Sequence, residues 1–221
     1  MATPAYIGQL GSFFSAATSS TGTMTTTTYN IAVGQTVFVT TKGQGNLGVS
    51  CTDSVGNTYT RIATTNSGPA ATIFGCVVTV PMPIGTTITP VMNLSSVNNQ
   101  YYAIAFRNVT LSGPVASAVS TTTTTHTTGS VTPEQVNGIV ISLGTVSGAY
   151  YTTHRTTTAG FTQLPLTVAS NQEWSQIAWK QVNSSAIAPT SVLWQESANT
   201  RSWASVICAL NATSGEFFAL F

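Results

Sequence analysis

Two histidines, three cysteines and five carboxylates are the side chains in this 221-residue sequence that most readily act as bases, thiolates or acids near neutral pH. Nucleophilic catalysis needs a Ser or Cys beside a His that a third group orients. His126 lies in the run Ser120-Thr121-Thr122-Thr123-Thr124-Thr125-His126-Thr127-Thr128-Gly129, and His154 in Tyr150-Tyr151-Thr152-Thr153-His154-Arg155. Neither stands near a G-x-S-x-G elbow, so both are predicted to be solvated or hydrogen-bonded loop residues. Glycoside hydrolysis needs two carboxylates across a cleft, but the spacing of Asp53, Glu134, Glu173, Glu196 and Glu216 pairs none of them. Two acids do flank tryptophans, in Glu173-Trp174 and Trp194-Gln195-Glu196. A glycan-stacking surface built from Trp174, Trp194 and Trp203 therefore competes with the stronger reading, in which these rings fill a core.

Metal and redox chemistry have little support. Cys51, Cys76 and Cys208 are odd in number and widely spaced, without the paired C-x-x-C pattern of zinc or redox sites. Cys76 and Cys208 sit in apolar, strand-like segments, and all three cysteines are expected to pack as small buried hydrophobes. Asp53-Ser54-Val55-Gly56-Asn57 offers oxygen donors but lacks the acidic density of a calcium loop. A reverse turn fits it better: Asp and Asn bond to nearby backbone, and Gly56 can take positive φ. Asn-x-Ser/Thr sequons at Asn93, Asn108, Asn183 and Asn211 are expected by chance in so Ser/Thr-rich a chain. No catalytic residue, cofactor or metal is predicted.

Charged residues make up 5% of the chain, against roughly a quarter in ordinary soluble domains. With 42% hydrophobic residues and a mean hydropathy of +0.22, the chain can bury a large core and is expected to fold. The net charge is +1, and Lys42, Arg61, Arg107, Arg155, Lys180 and Arg201 never form a run, which argues against nucleic acid and anionic membranes as partners. No stretch approaches the roughly 20 apolar residues of a spanning helix. Met1-Ala2-Thr3-Pro4-Ala5-Tyr6 shows no signal-peptide pattern, so synthesis in a cytoplasm is expected. A Thr/Ser surface lacks the charge that keeps proteins apart, and permanent neighbours would cover it.

The elements that must position these residues read as all-β, because Val, Ile, Thr, Tyr and Phe alternate with period two between Gly, Pro, Asn and Ser joints. About ten strands are predicted, at 36–41, 48–52, 59–63, 72–80, 86–94, 101–108, 138–143, 176–182, 191–195 and 202–210. Such spacing suits a single jelly-roll-like antiparallel β-sandwich. Only one short turn, near Thr132-Pro133-Glu134-Gln135, has helix-start chemistry. Residues 1–28 read as an extended N-terminal arm or edge segment, 29–216 as the sandwich, and 217–221 as an apolar C-terminal tail. The polar tract at 117–130 reads as a connection inside one domain, since neither half shows enough strands for two covered sheets. The Thr tracts at 18–28 and 117–130 can serve as edge strands open to extension by neighbours. Tyr6, Phe13 and Phe14 of the arm and Phe217, Phe218 and Phe221 of the tail are the candidate partner contacts.

The turn Asp53-Ser54-Val55-Gly56-Asn57-Thr58-Tyr59 resembles the D-S-x-G-N-x-Y turn of a diffuse group of β-sandwich proteins from tailed-phage virions and prophage-like loci. In that group it is followed by a G-x-x-I-T strand, here Gly85-Thr86-Thr87-Ile88-Thr89, and a G-F/W-T element, here Gly160-Phe161-Thr162. An aromatic-Lys strand (Ala178-Trp179-Lys180) and a closing R-x-W-A strand (Arg201-Ser202-Trp203-Ala204) come next. The resemblance implies a non-enzymatic virion protein, a capsid decoration or cement protein that bridges subunits of the major capsid protein or other virion proteins. It also implies a homo-oligomer, with a trimer at threefold positions as one form. A tail-fibre or adhesin module recognising host-surface carbohydrate is the alternative.

Overall fold

The structure is a computed structural model that describes residues 2–15, 19–44, 47–65, 69–96, 99–146, 155–156, 158–164, 175–182, 188–195 and 201–213. Its strands are β1 (Ala5–Ser15), β2 (Ser19–Thr21), β3 (Met24–Thr25), β4 (Thr36–Gln44), β5 (Gly48–Asp53), β6 (Thr60–Thr64), β7 (Pro69–Val77), β8 (Thr87–Ser96) and β9 (Asn99–Arg107) in the first half. The second half adds β10 (Val115–Thr123), β11 (Thr125–Thr127), β12 (Ile139–Val146), β13 (Arg155–Thr156), β14 (Thr162–Gln163), β15 (Ser175–Gln181), β16 (Leu193–Gln195) and β17 (Arg201–Leu210). No helix occurs among the described residues, and 134–137 form only bends and a turn.

Among the described residues, four antiparallel sheets result. Two are five-stranded, in the orders β1-β9-β4-β7-β6 and β10-β17-β12-β15-β14. Two are smaller: β8 is flanked by β2 and β3 on one side and β5 on the other, and β16 by β11 and β13. Side chains alternate across a pleat, and here the alternation sorts residues into separate cores. Val37 and Val39 of β4 join Leu10, Met24, Ile88 and Met92 between the first large sheet and its small partner. Phe38, from the other face of β4, joins Ile104, Phe106, Ile141, Val206 and Leu210 between the two large sheets. Val140, Ile207, Trp194 and Trp203 fill the third layer, under the second small sheet. The large sheets thus lie inside and the small ones outside. Buried on both faces, β7 and β12 read as near-continuous apolar runs.

The second half repeats the plan of the first. Within each, pairing is nested: β1 with β9 and β4 with β7 correspond to β10 with β17 and β12 with β15. The bridge Ile31–Met82 has its counterpart in Val131–Thr190. Gly34 (φ 83°) and Asn137 (φ 68°) make equivalent positive-φ turns, Gly34 N–H donating to Val78 O and Asn137 N–H to Val182 O. After β9 and β17 the chain reads Asn108-Val109-Thr110 and Asn211-Ala212-Thr213, and these segments bridge each other. Thr110 N–H donates to Asn211 O (2.8 Å) and Thr213 N–H to Asn108 O (3.1 Å), a reciprocal exchange that marks a pseudo-two-fold axis between the halves.

Each of the ten predicted strands has a counterpart, and the all-β class holds. The single ten-strand sandwich gives way to two stacked sandwiches, because the missed strands are short or rich in Thr, Ser and Gly and carry little apolar alternation. Residues 5–15, within the segment expected as an arm or edge segment, form the edge strand β1, with Leu10 fully buried. The Thr tracts do form edges: 19–25 supplies β2 and β3, and 115–127 supplies β10 and β11. The tail 217–221 lies outside the described residues.

Candidate functional site

The turn at Asp53 is a hydrogen-bonded knot. Asp53 Oδ1 accepts from the backbone N–H groups of Val55 (3.1 Å), Gly56 (2.8 Å) and Asn57 (3.0 Å), while Oδ2 accepts from Asn57 Nδ2 (3.0 Å) and Tyr59 OH (3.2 Å). Gly56 takes φ +93°, a conformation that penalises side chains. The reverse-turn reading therefore describes this segment. Its consequence lies further along the chain: Asn57 is 5% exposed and grips residues 79 and 80. Asn57 Oδ1 accepts from Thr79 N–H (2.9 Å) and Val80 N–H (2.8 Å), and Nδ2 donates to Val80 O (3.0 Å).

That grip fixes one side of an apolar tip on the first sandwich. Val33 (60% exposed), Val80 (41%) and Ile84 (53%) crown three neighbouring turns, together with the exposed Pro81 and Pro83. The other two turns are pinned as well. Ala32 N–H donates to Gln35 Oε1 (2.9 Å), Ile84 N–H to Asn30 Oδ1 (2.9 Å), and Pro83 O accepts from the hydroxyls of Thr26 (3.0 Å) and Thr86 (2.8 Å). Between them lies an apolar hollow of about 420 Å³ lined by Asn30, Ile31, Ala32, Pro81, Met82 and Pro83. A rigid apolar crest of this kind suits a protein partner, because little side-chain or loop entropy is lost on docking. Sequence reading missed it, since single valines and isoleucines in Pro/Gly turns carry no periodic signal.

A second feature runs along β1, where residues 6–12 and Thr25, Thr27, Thr28 and Tyr29 line a groove of about 710 Å³. Tyr6, a candidate contact residue, borders it while packing against Phe106 (centroids 5.3 Å apart) and Trp179 (6.4 Å). Burial, helped by nearby Tyr29, raises the Tyr6 hydroxyl pKa to about 12, so it stays a neutral donor. Phe13 is half-buried on Tyr101 (5.9 Å), and Phe14 is half-buried too, so both spend much of their area inside the molecule.

The tryptophans divide. Trp194 and Trp203 are fully buried, with their indole N–H groups donating to Ser142 Oγ (3.2 Å) and Thr123 O (2.9 Å). Neither can stack on a sugar, and the core reading applies to both. Trp174 lies outside the described residues, as do Phe217, Phe218 and Phe221, the acids Glu173, Glu196 and Glu216, and His154. His126 is not a loop residue: it sits in β11, 4% exposed and stacked on Trp203. Its Nε2 lies 2.8 Å from Ser205 Oγ, the spacing of a base and its nucleophile. Ser205 is completely buried, so no substrate can reach it, and the pair serves as a satisfied polar contact. Burial lowers the pKa of His126 and favours the neutral ring.

Cys51, Cys76 and Cys208 are free and buried, as expected. Burial pushes the Cys76 thiol up to about 11 and the Cys208 thiol to about 12, which keeps both protonated and unreactive. Among the described residues no group of three or more His, Cys, Asp or Glu is placed to hold a metal ion, and no helix is long and apolar enough to cross a membrane. Comparison with protein families, curated proteins and solved structures finds no match to this chain.

Proposed function

We propose that this chain is a non-enzymatic structural protein of a bacteriophage virion, a decoration or cement protein of the capsid, and that it docks through the apolar tip of its first sandwich. The observation that carries the reading is that tip: valine, isoleucine and proline held rigid by the Asp53–Asn57 knot, on a chain with too few charges to keep neighbours away. On this reading the nested strand pairing of each half is taken as a jelly roll, an architecture recurrent in viral capsid and lectin domains. The fold supplies analogy and the tip supplies the argument. On this reading the chain is made in a host cytoplasm and ends in the virion.

Mass spectrometry of purified particles carrying Ile84→Asp or Val33→Asp tests it. Copy number per particle should fall at least tenfold while the purified variants keep their β-sheet signal. Full occupancy with a charged tip would sink the proposal. The carbohydrate-binding alternative rests on the β1 groove, where Tyr6 and Tyr29 stand beside Gln9 and Ser12. It requires glycan-array binding that Tyr29→Ala removes.

A further inference from the structure

We propose that the free edge of β10 pairs antiparallel with the same edge of a second copy of this chain, about a two-fold axis through Ser117. The inference goes beyond the virion reading and stands without it. The large sheets have four outer edges, and three carry the protections that keep edge strands from pairing. β1 is bulged at two places, Thr27 N–H occupies Leu10 O (3.3 Å), and the Tyr29 ring lies over Gly8. β6 is bulged and carries the exposed Arg61. β14 has two residues. β10 differs over its first six residues: it pairs with β17 in unbroken register from Val115 to Ser120, its register shift coming only between Ser120 and Thr123, contains no charge, proline or glycine, and has no strand on its outer side among the described residues.

The phase of the ladder is fixed. Ala209 N–H donates to Pro114 O (2.9 Å), so Pro114, Ala116 and Ala118 face β17 while Val115, Ser117 and Val119 turn their N–H and C=O groups outward. Those three are the exposed residues of the segment, with Val115 47% and Val119 49% exposed. Beside them runs Gly129, where a Cβ would lie 2.8 Å from Ala116 Cβ, 3.1 Å from Ser117 O and 3.3 Å from Ser117 N, so only a residue without a side chain passes this close to the edge.

The occupant follows from the sequence Val115-Ala116-Ser117-Ala118-Val119, which reads the same in both directions. A two-fold axis through Ser117 sets Ser117 opposite itself and Val115 opposite Val119 of the second copy. Every one of these pairs points its backbone groups at the other strand, so each exchanges both hydrogen bonds, and the half-exposed valines cover one another. An uncharged palindromic edge is complementary to itself, and an isologous contact about a two-fold axis closes at two copies.

Sedimentation equilibrium in reducing buffer tests this with the whole chain. The wild type should sediment at twice 23.0 kDa and Ser117→Lys at 23.0 kDa with an unchanged β-sheet spectrum. Residue-resolved hydrogen exchange of the wild type gives a check that needs no variant: the Val115, Ser117 and Val119 amides should be protected in the dimer and lose that protection on dilution. A monomeric wild type, a Ser117→Lys variant that still dimerises, or outward amides that exchange freely at every concentration would each overturn the proposal.

Discussion

Lys42 is a cation buried inside the fold. It lies on β4 with 1% exposure, and burial lowers its pKa from 10.5 to about 7. At about 1.4 kcal/mol per pH unit, that displacement represents of order 5 kcal/mol carried by the folded state at and below neutral pH. Between about pH 7 and 10.5 the unfolded chain binds more protons than the folded one, so stability should rise with pH across that window. Lys42→Met should flatten that rise in urea titrations run across the window. His126 works at the other end of the scale. Its pKa is lowered from 6.5 by burial, so below pH 6.5 the unfolded chain takes up a proton that the folded chain refuses. Melting temperature should therefore fall as pH drops from 6.5, and His126→Gln should lessen that slope. An unchanged slope in the variant would place the acid sensitivity elsewhere.

At the scale of elements, the second sandwich depends on one ring. Trp194 on β16 lies so close to β12 that a Cβ on Gly144 would come within 2.6 Å of the indole. Trp194→Ala should cost about 3–5 kcal/mol, through the cavity and the lost partner of Ser142. Gly144→Ala should cost about 1–3 kcal/mol by overpacking, both read from denaturant midpoints. Strands whose apolar residues recur over five or more positions, such as 36–41 and 101–108, were legible in the sequence. β13 and β14 were not, because strands of two residues are made by the sheet they join, not by their own pattern, and β2, β3 and β11 were legible only as Thr-rich edge tracts without bounds. The Asp53 turn was legible for the converse reason: its chemistry is local, whereas its grip on residues 79 and 80 is long-range. The tip stayed hidden with it.

For the whole molecule, the layer between the large sheets decides stability. Phe38, Ile104 and Phe106 from one half and Ile141, Val206 and Leu210 from the other share it, so neither half can keep its inner sheet dry alone. Heating should give a single transition with calorimetric and van't Hoff enthalpies equal, and two resolved transitions would show the halves to be independent. A chain holding only the second half should bind a hydrophobic dye or aggregate. The duplication escaped notice in the sequence because the halves share topology and a few turn residues, such as Asn108-Val109-Thr110 with Asn211-Ala212-Thr213, and little else.

The shared layer also sets a clock on synthesis. When the first half leaves the ribosome its small outer sheet can close at once, but the face bearing Phe38, Ile104 and Phe106 has nothing to meet. At about 5–20 residues per second, the hundred or so residues still to come take of order 5–20 s. For that interval the nascent chain shows a broad apolar sheet to its surroundings, a surface that a chaperone would hold and that crowded polysomes would tend to glue together.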